Sequence, residues 1–200
     1  MYQEPPQEKI HSVIDLFANS KKQEAIDKTN ALIKDYPKSS SLLNLVGTFY
    51  KAIGMPDKAI LSFENSIAIK PDYAEAYNNL GATLQELRRL EIAVKNYEKA
   101  LAIKPDYAEA HNNLGVTLQD LGQLDAAVES YVAALGIKPD YAEAFNNLGV
   151  VLRELGQLET AVKSYEKVLT IQPDFAEAHY NLAVTLQELG QLDEAVKSYE

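Results

Sequence analysis

The residues best suited to chemistry in this sequence are asparagines that recur at a constant spacing. Asparagine is a poor residue for a helix interior and costs a few tenths of a kcal/mol against alanine. Its carboxamide carries two N–H donors and one acceptor oxygen, so it can pair with both polar groups of a peptide backbone. Their repetition therefore indicates either binding of a peptide or pairing between asparagines that holds successive units together. The recurring residues are Asn78, Asn79, Asn112, Asn113, Asn146, Asn147 and Asn181, with Tyr180 where the series would have asparagine.

Catalytic and metal-binding patterns are missing from the sequence. There is no cysteine, and the three histidines are His11, His111 and His179. The last two occupy the same place two repeats apart, so stacking would separate them, and each replaces an aromatic packing residue. The glycines recur at structural positions and form no phosphate-binding loop. We expect no enzymatic activity, no cofactor and no metal.

The charge is distributed unevenly along the chain. Residues 1–107 hold 14 basic and 14 acidic side chains, whereas residues 108–200 hold 5 basic and 15 acidic ones. An acidic half repels nucleic acid and anionic lipid and attracts basic partners. The recurring tyrosines fall at two packing positions, so they do not indicate a nucleic-acid platform. The apolar stripe of the second helix holds Tyr97, Tyr131, Tyr165 and Tyr199, and the junction between helix pairs holds Tyr73, Tyr107 and Tyr141. We expect a protein or peptide partner, with a basic one favoured, and neither nucleic acid nor membrane.

A 34-residue repeat organises the chain. The segments AEAYNNLG, AEAHNNLG, AEAFNNLG and AEAHYNLA begin at Ala74, Ala108, Ala142 and Ala176. Each contains an apolar stripe at three- and four-residue spacing, then a glycine break, then a second stripe, which predicts a pair of helices. We expect Gly122, Gly156 and Gly190 to end the first helices in a left-handed conformation, and the small residues at Gly81, Gly115, Gly149 and Ala183 to face alanines of the second helices. The spacing of Asp106, Asp140 and Asp174 to a glutamate three residues later predicts capping boxes.

This repeat resembles the tetratricopeptide repeat (TPR) family. The positions that carry the resemblance are Leu80, Gly81, Leu84, Ala93, Tyr97, Ala100 and Pro105 in one unit. The next unit has Leu114, Gly115, Leu118, Ala127, Tyr131, Ala134 and Pro139, and the third has Leu148, Gly149, Leu152, Ala161, Tyr165, Val168 and Pro173. The family's usual tryptophan is replaced by Tyr77, His111, Phe145 and His179.

The resemblance implies an all-α, right-handed superhelical solenoid of antiparallel helix pairs. We expect one continuous domain in which residues 1–39 form a degenerate N-terminal pair. The TPR repeats would then follow at 40–73, 74–107, 108–141, 142–175 and 176–200. Because the last unit is shorter than the period, we interpret the chain as a fragment of a longer protein.

The resemblance is strongest to arrays of the O-linked N-acetylglucosamine transferase type, in which an asparagine ladder lines a concave groove and holds an extended peptide. It places a ladder at Asn79, Asn113, Asn147 and Asn181, beside Asn78, Asn112, Asn146 and Tyr180. Ala82 and Glu177 fall in the neighbouring rows of the expected groove. The remaining groove residues would be Glu75, Glu109, Glu143, Val116, Val150, Val184, Gln85, Gln119, Arg153 and Gln187.

These observations predict a protein-interaction scaffold that binds an extended peptide or a partner helix, and that could serve as the recognition arm of a larger protein. The alternative is a self-assembly module that stacks through exposed repeat ends or docks in the groove of a neighbour. No apolar run is long enough to cross a bilayer and no signal peptide is visible. With the absence of cysteine, this favours a cytoplasmic location.

Overall fold

The computed structural model describes residues 4–199, with side chains described as far as Ala195. Over this range the chain forms twelve α-helices and no strand. The predicted all-α architecture of antiparallel helix pairs is confirmed. The helices are α1 Gln7–Ala18, α2 Lys22–Asp35, α3 Ser40–Ala52, α4 Pro56–Ile69, α5 Ala74–Glu86, α6 Leu90–Ile103, α7 Ala108–Asp120, α8 Leu124–Ile137, α9 Ala142–Glu154, α10 Leu158–Ile171, α11 Ala176–Glu188 and α12 Leu192–Tyr199.

The chain divides into two compact units, Met1–Pro105 and Asp106–Glu200. In the first unit, α1 pairs with α2, α3 with α4 and α5 with α6, and each pair packs on the next through α2 with α3 and α4 with α5. The first pair buries Val13 and Ile26 against Phe49, whose ring stacks on Phe17 at 4.2 Å between centroids. This stacking buries an apolar stripe that one helix pair alone would leave exposed.

The second unit repeats the arrangement with three pairs, α7 with α8, α9 with α10 and α11 with α12. Its pairs join through α8 with α9 and α10 with α11, and the first helices also contact each other directly, α7 with α9 and α9 with α11. Tyr131 and Tyr165, which belong to the apolar stripes of α8 and α10, are completely buried. Tyr199, predicted to do the same on α12, lies outside the residues whose side chains are described.

The first helix of each pair in the second unit ends at a glycine. Gly122 has φ +74°, and its N–H donates to the carbonyl of Gln119 at 2.8 Å while the N–H of Gln123 donates to that of Leu118 at 2.9 Å. These two hydrogen bonds satisfy carbonyl groups at the helix end, and the pattern requires a residue in the left-handed conformation. The prediction for Gly122, Gly156 and Gly190 is confirmed. In the first unit the corresponding residue after α5 is Arg88, with φ +58°.

The capping-box prediction for Asp106, Asp140 and Asp174 is wrong. The helices begin one residue later than that interpretation requires, with Tyr107, Tyr141 and Phe175 as N-caps and no side-chain cap hydrogen bond. In the second of these junctions the N–H of Tyr141 donates to the carbonyl of Lys138 at 3.2 Å. Asp140 therefore serves as the third residue of a β-turn that Pro139 initiates.

The helical glycines of the first helices face aromatic rings, not the alanines that we expected from the sequence. A Cβ atom built on Gly115 would lie 2.6 Å from Cε1 of Tyr131, and one on Gly149 would lie 2.5 Å from Cε1 of Tyr165. Real Cβ atoms do not approach carbon this closely. The missing side chain is therefore the space into which the tyrosine ring of the second helix packs.

Candidate functional site

The three first helices of the second unit, α7, α9 and α11, carry the same four residue types at positions i, i+4, i+7 and i+11. These positions lie on one side of a helix. We call them together the first-helix face of the second unit. Its glutamates and its last acidic residues are exposed, its valines are half-buried, and its asparagines are half-buried or buried. The rows are Glu109, Glu143 and Glu177; Asn113, Asn147 and Asn181; Val116, Val150 and Val184; and Asp120, Glu154 and Glu188.

The sequence interpretation left out the last of these rows. Its signal was available, because Asp120, Glu154 and Glu188 each follow the glutamate of their own helix by 11 residues, which is about three helical turns. The row was overlooked because acidic residues near a helix end are usually no more than a solvated surface. With it, acidic side chains border the asparagine and valine rows on both sides.

The asparagine row is hydrogen-bonded from one helix pair to the pair before it. Nδ2 of Asn147 donates to Oδ1 of Asn112 at 3.2 Å, and Nδ2 of Asn181 donates to Oδ1 of Asn146 at 3.2 Å. In the first unit Nδ2 of Asn79 makes the same bond to Oδ1 of Asn44, at 3.0 Å. Each of these ladder asparagines thus uses one N–H to join two first helices, which is the pairing role considered for the sequence.

The adjacent asparagines lie in the interior. Asn78 and Asn112 are 1% exposed and Asn146 is 2% exposed. Asn146 accepts from Asn181 and also donates through Nδ2 to Oε1 of Glu177 at 3.0 Å. Asn112 and Asn146 connect neighbouring first helices, and all three side chains are almost completely buried. Tyr180, which replaces them in the last pair, is 59% exposed.

A further row, the glutamine row, occupies one place on successive first helices and consists of Gln85, Gln119, Arg153 and Gln187. Its first two glutamines link their helix to the tyrosine of the same helix pair. Oη of Tyr97 donates to Oε1 of Gln85 at 2.8 Å, and Oη of Tyr131 donates to Oε1 of Gln119 at 3.3 Å. Gln119 also donates through Nε2 to Oε1 of Glu154 on the next first helix, at 2.8 Å. These glutamines are half-buried, and the row ends in the exposed Gln187.

Arg153 interrupts the glutamine row in the pair formed by α9 and α10. An arginine has no acceptor atom, and Oη of Tyr165 is accordingly left buried without a hydrogen-bond partner, as is Nη1 of Arg153. The hydroxyl oxygen of Thr185 lies near this phenol and opposes the rise in the pKa of Tyr165, while the Thr185 O–H donates to the carbonyl of Asn181 at 2.7 Å. A buried polar group without a partner costs about 1–3 kcal/mol.

The equivalent surface of the first unit is less acidic. Glu75 forms an ion pair with Lys104 at 3.7 Å, and Glu86 forms one with Lys51 at 3.2 Å. On α3 the asparagine row contains Leu45. Predicted groove residues of the first unit, Glu75, Asn79, Ala82 and Gln85, are half-buried. The strongly acidic surface therefore belongs to the second unit.

Burial of tyrosines predicts a loss of stability in alkali. Burial raises the pKa of Tyr165 and that of Tyr141 to about 12, and in the same direction raises the pKa of Tyr131 still further. Between pH 10 and pH 12 the unfolded chain releases these protons and the folded chain keeps them. The free energy of unfolding should therefore fall, by up to about 1.4 kcal/mol per pH unit for each tyrosine.

Urea unfolding between pH 8 and pH 11.5 measures this effect. Below pH 9 the tyrosines should contribute no slope, because both states hold their protons. The Tyr165→Phe variant is the control, since it should lose part of the alkaline slope. An equal slope in the variant and the parent would contradict the assignment to Tyr165.

Metal binding and membrane spanning receive no support from the structure. Within residues 4–195 no three histidine, cysteine or acidic side chains come together to hold a metal ion. None of the described helices combines the length and apolarity that a bilayer crossing demands.

Comparison with known proteins gives a family match and a set of similar folds. The family model described as TPR repeat matches residues 49–87, 89–122, 118–155 and 151–190. The crystal structure of PilW, a type IV pilus biogenesis factor, matches with 25% sequence identity and a TM-score of 0.87. The match covers 96% of this chain and 89% of the PilW chain. The crystal structure of MamA also matches with 25% identity, at a TM-score of 0.73. This match covers 88% of this chain and 99% of the MamA chain.

A third structure, YrrB, is a TPR protein with an unusual peptide-binding site. Its identity is 23% and its TM-score 0.69, over 86% of this chain and 89% of its own. At this identity the likeness establishes only the fold. No curated protein matches the chain.

Proposed function

Because the chain belongs to the TPR repeat family, we propose that it is a non-catalytic protein-interaction scaffold whose first-helix face in the second unit binds an extended peptide. One observation carries the proposal. The asparagine and valine rows recur on three adjacent helices and are bordered by two acidic rows. Asn147 uses one N–H to bond to Asn112 and is half-buried, so its second N–H can donate to a backbone carbonyl of the peptide.

The charge of this face favours a basic peptide. The six acidic side chains of the two outer rows are exposed, and the first helices of the second unit carry one cation, Arg153, among the described residues. Lysine or arginine side chains of a bound peptide would reach the acidic rows from either side. Attraction between such exposed groups is screened over about 8 Å at physiological salt, so binding should weaken as salt increases.

The spacing of the helices suits an extended chain. Packed helices lie about 8–10 Å apart, and an extended peptide rises about 3.3 Å per residue. Three peptide residues therefore span one repeat, and a peptide of about nine residues would cover α7, α9 and α11. The side chains that meet equivalent rows would recur at every third position.

The ladder of O-linked N-acetylglucosamine transferase-type arrays is the precedent for this mode of binding. The family match extends to TPR repeats in general, so this closer resemblance is part of the proposal, as is a role as the recognition arm of a larger protein. Each backbone hydrogen bond would contribute about 0.5–1.5 kcal/mol, and the loss of freedom on association opposes this gain. We therefore expect a dissociation constant of the order of micromolar.

Replacing Asn147 with alanine tests the proposal. The probe is a fluorescein-labelled nonapeptide, (Lys-Ala-Ala)₃, with (Glu-Ala-Ala)₃ as the charge-reversed comparison, and binding is read from fluorescence anisotropy. We expect the lysine peptide to bind and the glutamate peptide not to bind. The Asn147→Ala variant should bind the lysine peptide about fivefold more weakly, because one hydrogen bond between the neutral Asn147 amide and the peptide backbone is lost.

The control is Asn96→Ala, which alters an asparagine of the second helix α6 whose Nδ2 donates to the carbonyl of Ile92 at 2.8 Å. It should change affinity less than twofold. Asn147 also bonds to Asn112, so circular dichroism must show that the variant remains folded at the assay temperature. An unchanged affinity in folded Asn147→Ala would remove the ladder from the binding site.

Self-association is the second candidate function. Tyr180 and Leu192 on the last helix pair are 59% and 60% exposed, the highest values among the large hydrophobic residues of the described part of the chain. A second copy of the chain could cover them. Sedimentation velocity over a hundredfold concentration range separates the two functions, because a monomer that binds the lysine peptide favours the scaffold and concentration-dependent growth favours assembly.

A further inference from the structure

Helix α6 and the turn before it are basic, unlike the equivalent segments of the second unit. Residues 88–104 hold five basic and two acidic side chains, whereas residues 122–138 hold one basic and two acidic ones, and residues 156–172 hold two of each. Four of the five basic side chains, Arg88, Arg89, Lys95 and Lys99, are exposed. The first unit therefore presents a positive surface that the repeats of the second unit lack.

An exposed isoleucine lies among these basic groups. Ile92 is 43% exposed, and it precedes Lys95 and Lys99 by three and seven residues, so the three side chains share one face of α6. In the second unit its place is taken by Ala126 on α8 and Thr160 on α10. An apolar side chain at this place is thus particular to α6. We call the following residues together the α6 surface: Arg88, Arg89, Ile92, Lys95 and Lys99.

The turn before α6 holds an arginine in a conformation that suits glycine. Arg88 has φ +58°, whereas the equivalent residues of the second unit are Gly122, Gly156 and Gly190, with φ of +74°, +74° and +77°. Glycine adopts this left-handed conformation without a steric cost, but the Cβ atom of an arginine crowds the carbonyl group that follows it. The fold would be served better by glycine here, so the charge at Arg88 calls for another reason.

The charges and the spacing of the α6 surface match those of the first-helix face of the second unit. On that face the two acidic rows are 11 residues apart, about 16 Å along a helix, and the valine row lies between them. On α6 the N-cap residue Arg89 and Lys99 are ten residues apart, about 15 Å, and Ile92 lies between them. A helix with this surface, laid along the first helices, would bring a basic group to each acidic row and an isoleucine to the valines.

We propose that the α6 surface of one copy of the chain docks on the first-helix face of the second unit of another copy. Opposite charges would attract the two surfaces, and Ile92 would be withdrawn from water. The proposal gives the self-association considered above its two surfaces, and it rests on the proposed function only in taking the first-helix face as a docking surface for basic groups. Because the two surfaces differ, each contact leaves one of them free on either copy, so that copies join into a ring or an open chain.

Sedimentation velocity of the whole chain at increasing concentration tests the contact. We expect association that grows with concentration and weakens between about 0.02 M and 0.5 M sodium chloride, because salt screens exposed charges. The Lys95→Glu/Lys99→Glu variant should associate at least about tenfold more weakly, because like charges would then face each other. The matched control is Lys163→Glu/Lys167→Glu, which makes the same change at the equivalent exposed places of α10 and should alter association less than about twofold. Equal losses in the two variants, which have the same net charge, would contradict the assignment to α6.

Mixing two variants identifies the partner surface. Glu143→Lys/Glu188→Lys reverses part of the two acidic rows and should also associate more weakly on its own. Mixed with Lys95→Glu/Lys99→Glu, it should associate as tightly as the parent chain, because each variant keeps the surface that the other has lost. A mixture that associates no better than its components would exclude the contact between the α6 surface and the first-helix face.

The Arg88→Gly variant separates the contact from the fold. Glycine relieves the left-handed strain, so the variant should unfold at the same urea concentration as the parent or at a higher one. It should nevertheless associate about threefold more weakly, as expected for the loss of one exposed charge pair. Unchanged association would remove Arg88 from the α6 surface.

The outcome can be told apart from that of the proposed function. A parent chain that stays monomeric at every concentration and salt overturns the contact, and binding of the lysine peptide (Lys-Ala-Ala)₃ would then leave the proposed function standing. Association through α6 by a chain that does not bind this peptide contradicts the proposed function and supports the contact. Where both occur, the lysine peptide should dissociate the assembly, because the two ligands share one face. An assembly that persists at saturating peptide would contradict docking on that face.

Discussion

Replacing Tyr131 with alanine is expected to lower the free energy of unfolding by about 3–5 kcal/mol, the range for removing a large aromatic side chain from a core. The ring is completely buried and fills the space left by Gly115 on the facing helix. Its hydroxyl group donates to Gln119 at 3.3 Å, and Gln119 in turn bonds to Glu154. The substitution therefore leaves a cavity between α7 and α8 and frees a glutamine that joins α7 to α9.

Urea unfolding followed by circular dichroism measures this loss. The matched control is Tyr131→Phe, which keeps the ring and removes only the hydrogen bond, so it should cost about 0.5–1.5 kcal/mol. Repeat proteins can unfold in parts, so midpoint and slope should both be compared. Similar losses in the two variants would show that the hydroxyl group, and not the ring, carries the stabilisation.

The same substitution, glycine to alanine, should have opposite effects at two positions of the second unit. At Gly115 the new Cβ atom would lie 2.6 Å from the ring of Tyr131, so this fully buried ring would have to shift and we expect a loss of about 1–3 kcal/mol. At Gly136, in the last turn of α8, no atom lies within 4 Å of the new Cβ. There alanine should stabilise the helix by about 0.5–1 kcal/mol.

Thermal and urea unfolding of Gly115→Ala and Gly136→Ala side by side provide the measurement. Each variant is the control for the other, since the chemical change is identical and only the surroundings differ. Equal effects at the two positions would mean that the close packing of Gly115 on Tyr131 does not govern stability. A stable Gly115→Ala variant would also require a shift of the ring of Tyr131, which aromatic proton spectra would reveal.

Sequence periodicity was sufficient to predict the helix pairs. Apolar stripes at helical spacing and a glycine between them fixed the positions of α7 and α8, and Gly122 has the predicted left-handed conformation. Such features depend on residues that are close in the chain. The helix N-termini were mispredicted because Asp140 satisfies two local patterns, a capping box and a β-turn after proline, and the sequence does not rank them.

The roles of neighbouring asparagines could not be separated from the sequence. Asn146 and Asn147 differ by one residue, which is a rotation of about 100° around the helix. That rotation takes Asn146 into the interior and leaves Asn147 half-buried. Which of the two faces inward depends on the next helix pair, since Asn146 bonds to Asn181 and Glu177 on α11. The interior position of one of two equally polar residues is a tertiary property.

The unpaired phenol of Tyr165 was likewise beyond prediction. Arg153 and the glutamines of its row are all long polar side chains that suit a helix surface. The hydrogen bond between Tyr131 and Gln119 spans 12 residues and two helices, so its existence becomes visible only in the folded chain. Once that bond is known, the substitution of arginine in the row marks the pair of α9 and α10 as different from its neighbour.

The offset of one residue between donor and acceptor asparagines has a consequence for how such a chain can grow. In the second unit, the 34-residue segment 142–175 supplies both halves of this pattern: Asn147 donates a hydrogen bond to the segment before it, and Asn146 accepts one from the segment after it. Duplicating this segment would place a donor asparagine beside an acceptor asparagine at each new junction, so both amide bonds would form again. Length can therefore change by tandem copying at little energetic penalty, whereas an insertion of any other size would break the chain of amides.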